Sequence, residues 1–336
     1  MNGPVTDGFR DRVRLDEREK IVLSQLEFRA RASVMEVADA CGYKVSAVRH
    51  VLMKLLEAGV MTDRRAYLNP QALGFTNYGV YITLASWAPG HRASLGRLLT
   101  SAPRVTWLAE LGGEYQYGIT FSSYNPGEVI ELRDRLSRHF PRVIASVTVS
   151  ARVALWTFPR KYLGGSAKAL PAWHQGASTR VHIDAVDAKI LSELGRGGFD
   201  SFRHLAERTG VPASTFDRRV RVLEEKGIIL DYYCRVDPSR IGFEDFRLLI
   251  HSRNVSRAIT DRLFDFCRSH PNIRKFVVCI SEWDYEVEIS VPSNREVPSV
   301  IAALNERFDG EVFKVRVVPL LSEINRSPFP NGWFGG

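Results

Sequence analysis

The chain has 336 residues, of which 45% are hydrophobic, and its 46 basic and 38 acidic residues give a net charge of +8. No apolar run reaches the ~20 residues of a membrane-spanning helix, and the first twenty residues lack the apolar segment of a signal peptide, so we expect a cytoplasmic protein. Four scattered cysteines without a CxxC pair favour free thiols over disulfides or a metal site. The basic balance is compatible with a polyanionic partner.

The sequence repeats itself at one fixed offset. Adding 168 to a position in the first half reaches a matching residue in the second, as from Ser46 to Ser214 and from Phe140 to Phe308. This offset holds without a gap from residue 15 to residue 140, far beyond the ~20–50 residues of a solenoid unit. We interpret the chain as two tandem copies, each large enough for two small domains.

The first part of each copy has helical periodicity. "LDEREKIVLSQL" and "IDAVDAKILSEL" predict a first helix, and about ten residues that open on serine and close on glycine predict a second. A third helix is predicted to begin at Ser46 or Ser214, with a buried face formed by Val48, Leu52, Leu55, Phe216, Val220 and Leu223. Two helices joined by a short glycine-containing turn form a helix-turn-helix.

The second part of each copy alternates strands and helices in the order βαββαβ, which predicts a ferredoxin-like domain with helices on one face of an antiparallel sheet. The expected fold class is α+β, with two tandem copies of a winged helix-turn-helix domain followed by a βαββαβ domain. We place the helix-turn-helix domains at 12–68 and 183–237, the sheet domains at 74–156 and 243–325, and a Gly/Pro/Ala-rich linker at 157–182.

The outward face of each third helix carries the candidate DNA-binding residues. A helix fits the major groove, arginine matches guanine or phosphate, and Ser or Thr near a helix start suits phosphate. The first copy offers Ser46, Arg49, His50 and Lys54, followed by Arg64 and Arg65 as a basic wing. The second copy offers Ser214, Thr215, Arg218, Arg219 and Arg221.

The second copy resembles the leucine-responsive regulatory protein/AsnC family of transcription regulators. The matching segments are "IDAVDAKILSEL", "HLAERTGVPASTFDRRVRVLEEKGIIL" and "VDPSRIGF", and the first copy follows the same plan more weakly. The resemblance implies DNA binding by the helix-turn-helix, dimerisation through the sheet domain, and sensing of an amino acid or related small metabolite.

Effector binding in that family is associated with a Gly-x-x-Asp pattern between the second and third strands of the sheet domain. The first copy has Gly113 but Gln116 in place of Asp, and the second has Asp284 but Ser281 in place of Gly. Each copy therefore keeps half the pattern, and these four residues are the candidate effector site. Tyr115, Tyr117, Trp283 and Tyr285 beside them are interpreted as sheet core.

Enzyme motifs are missing from the sequence: it has no nucleophile elbow, phosphate-binding glycine loop, HExxH or metal-spaced Cys/His set. We therefore predict no catalytic residue, no cofactor and no metal site. Two alternatives stay open. Sirohaem decarboxylases use the same fold as paired or fused subunits, and a regulator that has lost DNA binding would serve as an assembly protein.

The duplication itself predicts an arrangement. Because a lone sheet domain of this family exposes a face that a second copy covers, we expect the two sheet domains to pack on each other as a pseudo-twofold dimer within one polypeptide, with larger homo-oligomers open. A coiled linker of 26 residues, 157–182, spans roughly 25–30 Å, enough to join neighbouring domains. The outward residues of the two third helices differ, so the operator is expected to be an imperfect palindrome.

Overall fold

The computed structural model describes residues 12–86, 88–164, 173–174, 180–198, 201–327 and 329. Its α-helices are α1 (Glu17–Glu27), α2 (Val34–Cys41), α3 (Val45–Glu57), α4 (Pro89–Ser101), α5 (Pro126–His139), α6 (Ala185–Arg196), α7 (Phe202–Thr209), α8 (Ala213–Glu225), α9 (Arg257–Ser269) and α10 (Val297–Arg307). Its strands are β1 (Met61–Leu68), β2 (Thr76–Leu84), β3 (Val105–Leu111), β4 (Tyr117–Ser123), β5 (Ile144–Thr157), β6 (Trp173–His174), β7 (Ile229–Val236), β8 (Glu244–Ser252), β9 (Ile273–Ile280), β10 (Tyr285–Val291) and β11 (Val312–Arg326).

Capping residues define the second helix of each half. The Ser33 and Ser201 side chains accept hydrogen bonds from the backbone N–H groups of the first turns of α2 and α7. Gly42 and Gly210 end these helices in the left-handed conformation, with φ of 69° and 66°, which glycine adopts without steric cost. The serine-to-glycine prediction for both helices is confirmed.

The third helices begin one residue earlier than the sequence predicts. α3 starts at Val45 and α8 at Ala213, so Ser46 and Ser214 are the second helical residues, with Lys44 and Pro212 at the N-cap positions. The predicted core face is confirmed in both helices, since every one of its side chains is buried: Val48, Leu52, Leu55, Phe216, Val220 and Leu223.

A two-stranded ribbon joins the helical parts of the two halves. β1 pairs antiparallel with β7 of the other half, as in the pair Arg65↔Tyr233, so the predicted wing after α3 is not a separate projection. α1 packs on β7 and α6 packs on β1, and the buried apolar side chains of both helix-turn-helix units form one continuous cluster. Pairing of a strand from each half creates this shared core, which neither half has by itself.

The remaining strands close into an eight-stranded antiparallel barrel. The hydrogen-bonded order is β2-β4-β3-β11-β8-β10-β9-β5, and β5 also pairs with β2 to complete the ring. β5 pairs first with β2 and then, from Ala151 onward, with β9 of the second half. β11, the last strand of the second half, likewise pairs first with β8 of its own half and then with β3 of the first half. The two sheets are thus hydrogen-bonded to one another within one chain.

Apolar cores lie on both sides of this barrel. α4 and α5 cover the outer surface of β2, β3 and β4, and α9 and α10 cover that of β8, β9 and β10. The inside holds Tyr81, Trp107, Leu249 and Trp283. Tyr115, Tyr117, Trp283 and Tyr285 are each at most 2% exposed, which confirms their interpretation as sheet core.

The first part of the predicted linker is not a free spacer. β5 runs to Thr157, and the Phe158 N–H donates to the Arg274 carbonyl at 2.7 Å. Lys161 Nζ donates to the carbonyls of Cys267, Arg268 and Ile273 at 2.9–3.2 Å, which covers the C-terminal end of α9. Most of the remaining linker, 165–172 and 175–179, lies outside the described residues. Among the helices of the described chain, none is long and apolar enough to cross a membrane.

Candidate functional site

The outer face of α8 presents an open basic surface. Ser214, Arg218 and Arg221 are exposed, and Thr215 is half-buried beside them. Within the described part of the chain, neither Arg218 nor Arg221 forms a salt bridge or a side-chain hydrogen bond, so both guanidinium groups are free to meet a ligand. Ser214, Arg218 and Arg221 lie on one face of α8 because residues three and four apart along a helix share a face.

Arg219 has a different position and partner. Its Nη1 donates to Asp184 Oδ2 at 2.7 Å and to Asp187 Oδ1 at 3.1 Å, at the start of α6. The hydrogen bond that the Asp187 backbone N–H donates to Asp184, followed by the bond and charge of Arg219, holds the pKa of Asp184 below its usual value. Arg219 therefore ties the third helix to the first, and its guanidinium is already engaged.

α3 carries a comparable face with fewer cations. Ser46, Arg49 and His50 are exposed on it. Lys54 lies near the last turn and forms an ion pair with Glu19 of α1. In both halves, therefore, one cation of the third helix is bound to the first helix, although the two cations occupy different positions of the repeat.

The two arginines predicted as a basic wing lie on the ribbon. Arg65 is 7% exposed, and its Nε donates to Asp63 Oδ2 at 2.7 Å while Nη1 contacts the Arg326 carbonyl. Arg64 is half-buried. The prediction that Arg65 lies on an open basic wing is therefore wrong, because the pairing of β1 with β7 of the other half buries it. Of the residues predicted to contact DNA, the exposed ones without a described ion pair are Ser46, Arg49, His50, Ser214, Arg218 and Arg221.

The two turns predicted as the effector site meet at one end of the barrel. Gln116 Oε1 accepts from the Leu84 N–H at 2.7 Å, and Asp284 Oδ2 accepts from the Ser252 N–H at 2.7 Å. These are the same bond in both halves, since 84 plus 168 is 252 and 116 plus 168 is 284. Gln116 thus supplies the acceptor oxygen that Asp284 supplies in the second half.

The other side-chain polar groups of the predicted residues are also engaged. Gln116 Nε2 donates to the Gly113 carbonyl at 2.9 Å, where Gly113 has a positive φ of 80°. Ser281 Oγ donates to the Val149 carbonyl at 3.0 Å. Arg316, which the sequence reasoning did not identify, binds both turns through Glu114 and Glu282. The four predicted residues come together, but the side chains of Gln116, Ser281 and Asp284 are all bound to backbone groups of the protein.

The opposite end of the barrel opens into a chamber of about 740 Å³ that faces the ribbon. Buried charges surround it: Arg152 Nη2 bonds Glu286 at 3.0 Å, and Arg247 Nη2 bonds Glu288 at 2.5 Å. Burial alone would raise the pKa of Glu286, but Arg152 and Arg247 hold it below its usual value. We call this space the chamber.

The sequence reasoning missed the chamber, although a signal existed. Its charged residues stand at alternate positions of otherwise apolar strands, as Glu286 and Glu288 do in "YEVEISV" and Arg152 does in "SARVAL". Such residues point to the inside of a barrel when the outer face is covered by helices. Only the closure of the ring makes that inside a single space.

Comparison with known proteins finds that part of the chain is similar to transcription regulators. A family model described as winged helix-turn-helix DNA-binding matches residues 183–229. The leucine-responsive regulatory protein of Rhizobium meliloti is 45% identical over 65 residues, which are 19% of this chain and 42% of that protein. The glutamate uptake regulatory protein of Zymomonas mobilis is 28% identical over 130 residues, which are 37% of this chain and 77% of that protein. The chain spans less than half the length of the first of these relatives.

A solved structure matches the whole architecture. The siroheme decarboxylase NirDL superposes with a TM-score of 0.60 at 11% identity, over 93% of this chain and 93% of that one. At such identity the likeness shows a shared fold, and it extends across both halves.

Proposed function

We propose, from the chain's sequence relationship to regulators of the leucine-responsive/AsnC family, that it is a sequence-specific DNA-binding transcription regulator. The observation that carries the proposal is the outer face of α8. Arg218 and Arg221 are exposed there without ion-pair partners in the described chain, on the third helix of a helix-turn-helix unit. Such a helix enters the major groove, where arginine reads guanine or binds phosphate.

The second element of the proposal is that the two halves are tandem copies that act as a dimer within one polypeptide. The exchange of β5 and β11 between the sheets, together with the ribbon, supports this arrangement. Because the tether makes pairing intramolecular, it is independent of dilution. The two DNA-facing sets differ, so the operator is expected to have two unlike half-sites about one helical turn, or a multiple, apart.

Measuring operator affinity tests the proposal. Genome-wide mapping of binding sites supplies the operator, and Arg218→Ala and Arg221→Ala are then compared with the wild type by gel shift. Each should lose roughly 1–3 kcal/mol of binding free energy if it reads a base, and less if it meets phosphate only. Affinity should also fall steeply with salt, because DNA binding releases counterions.

The control is Arg268→Ala, which removes an exposed arginine of α9 that pairs with Asp265 on the outside of the barrel. This variant should bind as the wild type does. An Arg218→Ala/Arg221→Ala double variant with unchanged affinity would exclude α8 as the reading helix. Footprinting that reveals two identical half-sites would exclude the asymmetric operator.

A small-metabolite effector belongs to the proposal through the family relationship. The four residues named for it, Gly113, Gln116, Ser281 and Asp284, lie together, but an effector contacting Gln116 or Asp284 would have to replace the hydrogen bonds to Leu84 and Ser252. Calorimetry against amino acids, with Gln116→Leu as the variant, tests that location.

A second candidate function is tetrapyrrole binding in the chamber, with enzyme activity. The fold shared with a siroheme decarboxylase over 93% of the chain and the size of the chamber favour it. Among the described residues, however, the chamber lining includes no histidine, the side chain most suited to iron ligation and to proton transfer near neutral pH. Visible absorbance of the purified chain with an added iron porphyrin separates the two functions, and we favour the regulator.

A further inference from the structure

We propose that the chamber binds a small molecule made of an oxyanion, either carboxylate or phosphate, and an apolar body. This site lies at the end of the barrel opposite the two half-motif turns. Its use as a regulatory site rests on the proposed function, whereas the binding itself does not.

The chamber is lined by residues of the barrel, of the ribbon and of the end of α1. All eight barrel strands contribute to its lining, with residues such as Thr120 of β4 and Arg274 of β9. Tyr67 and Tyr233 line it from the two strands of the ribbon, and Phe28 lines it from the end of α1. An occupant would therefore contact both the barrel and the layer that carries the DNA-facing helices.

The most deeply buried carboxylates of the chamber, those of Glu27, Glu286 and Glu288, have both oxygens engaged. Glu27 accepts from the Arg160 N–H at 2.9 Å with one oxygen and pairs with its guanidinium through the other. Glu286 accepts from Ser150 at 3.0 Å and from Arg152 at 3.0 Å, one oxygen each. Glu288 binds Arg247 with one oxygen and Lys275 with the other. Glu323 forms ion pairs with Arg326 and Arg235, although its Oε1 makes no hydrogen bond, and Asp245 Oδ2 lies 3.9 Å from Arg274.

Hydrogen-bond donors, in contrast, are in surplus. Arg160 is 7% exposed and its Nε is buried without a hydrogen-bond acceptor, as is the Nε of Arg152. The guanidinium of Arg274 lies 3.9 Å from Asp245 and 3.7 Å from Glu288, beyond hydrogen-bond distance of both. Unpaired buried donors are costly, and the three most buried carboxylates are already fully engaged, so the group that completes these donors is an added acceptor. An anion suits the role because it accepts from several charged donors at once.

Arg160 and Arg274 line one corner of the chamber, and Tyr162 lies beside them. The Tyr162 hydroxyl is buried without a hydrogen-bond partner, and its ring stacks on Phe243 of the lining at 3.9 Å between centroids. Burial raises the pKa of Tyr162 to about 12 although Arg160 and Arg274 lie close enough to oppose the shift. Two guanidiniums and a neutral hydroxyl therefore lie near one another, with the Asp245 carboxylate also close, and this donor set suits an oxyanion.

Size and walls define the rest of the ligand. A chamber of about 740 Å³ is within the range of roughly 300–1,000 Å³ found for small-molecule sites. Aromatic side chains form much of its wall, among them Phe28, Trp107 and Phe243. An apolar or aromatic body attached to the oxyanion would bury itself against these rings, whereas inorganic phosphate alone would leave most of the chamber unfilled.

The anion corner is also joined to the DNA-binding layer. Besides binding Glu27 at the end of α1, Arg160 donates through Nη2 to the Val236 carbonyl at the end of β7, at 3.1 Å. A ligand that draws Arg160 toward itself would compete with both contacts. This provides a direct route from an occupied chamber to the position of α1 and of the ribbon.

The test uses the full-length protein without DNA, so that its outcome is independent of operator binding. Phenylpyruvate and phenyl phosphate serve as the two anionic probes and 2-phenylethanol as the neutral one, in calorimetry and thermal unfolding. We expect at least one anion to bind and to raise the unfolding temperature, with the alcohol weaker. Binding of phenylpyruvate alone identifies a carboxylate site, and binding of phenyl phosphate alone identifies a phosphate site.

Variants locate the binding. Arg274→Gln removes a cation of the corner, and Tyr162→Phe removes a hydroxyl that makes no hydrogen bond, so the second variant keeps the fold even if the first does not. Each should weaken anion binding by about tenfold, the effect of one lost charge-assisted or buried hydrogen bond. Arg268→Gln on the outer surface of α9 is the control and should bind normally. Failure of both anions to bind, equal binding of the alcohol, or undiminished binding by Tyr162→Phe would overturn the proposal.

Discussion

At the scale of single residues, neighbours of the same type have unrelated roles. Arg218 and Arg219 are consecutive, yet the first is open and the second binds Asp184 and Asp187. The cause is geometric, because each step along a helix turns the side chain by about 100°. Gln116 and Asp284 give the opposite case, in which different side chains make the same bond to a strand end.

Glu323 provides a prediction at this scale. Burial would raise its pKa, but Arg326 and Arg235, with a hydrogen bond from Trp107, lower it to about 2. A carboxyl whose pKa falls on folding stabilises the fold above its unfolded pKa and loses that contribution as the pH falls through its folded pKa. Glu323→Gln should therefore lower the free energy of unfolding at pH 7, and the difference from wild type should shrink between about pH 4.5 and pH 2.

Urea unfolding at pH 7, 5 and 3 measures this difference. Glu306→Gln, at an exposed position of α10, is the control and should leave stability nearly unchanged at each pH. A Glu323→Gln deficit of the same size at pH 3 and pH 7 would contradict the role given to Arg326 and Arg235.

At the scale of elements, the join between the halves depends on charges that the repeat does not share. Arg152 of β5 pairs with Glu286 of β10, and the repeat places Gly118 where the second half has Glu286. It also places Gly79 where the second half has Arg247, and a Cβ on Gly79 would lie 2.9 Å from Arg152 Nη2. Gly79 therefore makes room for the Arg152 guanidinium that pairs with Glu286, whereas Gly118 makes room for Leu111 and Trp107, and the halves are not interchangeable.

A double-mutant cycle tests this join. Glu286→Gln leaves Arg152 buried without its charged partner and should cost about 3–5 kcal/mol of stability. Adding Arg152→Met should restore part of the loss, because no unpaired guanidinium then remains. Urea unfolding of the wild type, both single variants and the double variant measures the coupling. Strictly additive losses would show that the two side chains do not interact.

At the scale of the whole molecule, closure of the barrel decides how the chain holds together. Neither half has a complete ring alone, since β5 and β11 each end on a strand of the other half. Separated halves would expose unpaired strand edges, which promote association and aggregation. The shared helix-turn-helix core adds a second contact that crosses the halves.

Cleavage of the linker tests this closure. A protease site inserted between Gly164 and Arg180 leaves the described strands of the barrel intact. After cutting, the two fragments should still co-elute as one particle of the uncut size in gel filtration, because the barrel and the shared core hold them. The uncut protein with the same insertion is the control. Fragments that separate under native conditions would contradict pairing of the two halves within one chain.

The sequence alone determined the features that depend on local spacing. Caps such as Ser33 and Gly42, the buried face of α8 and the alternation of the strands follow from nearest neighbours and from helical and strand periods. The exposed positions of Arg218 and Arg221 follow from the same helical period, and the resemblance to regulators came from contiguous segments. Their role in DNA binding stays a prediction.

Only the tertiary structure decided which strands meet across the halves. The pairing of β1 with β7 buried Arg65, and the exchange of β5 and β11 closed a barrel and created the chamber. Residues that contribute to the anion corner, Arg160 and Arg274, are 114 positions apart, since 274 minus 160 is 114. Local periodicity carries no information on contacts at such separation. They depend on which unpaired strand edges and apolar faces satisfy one another when the whole chain folds.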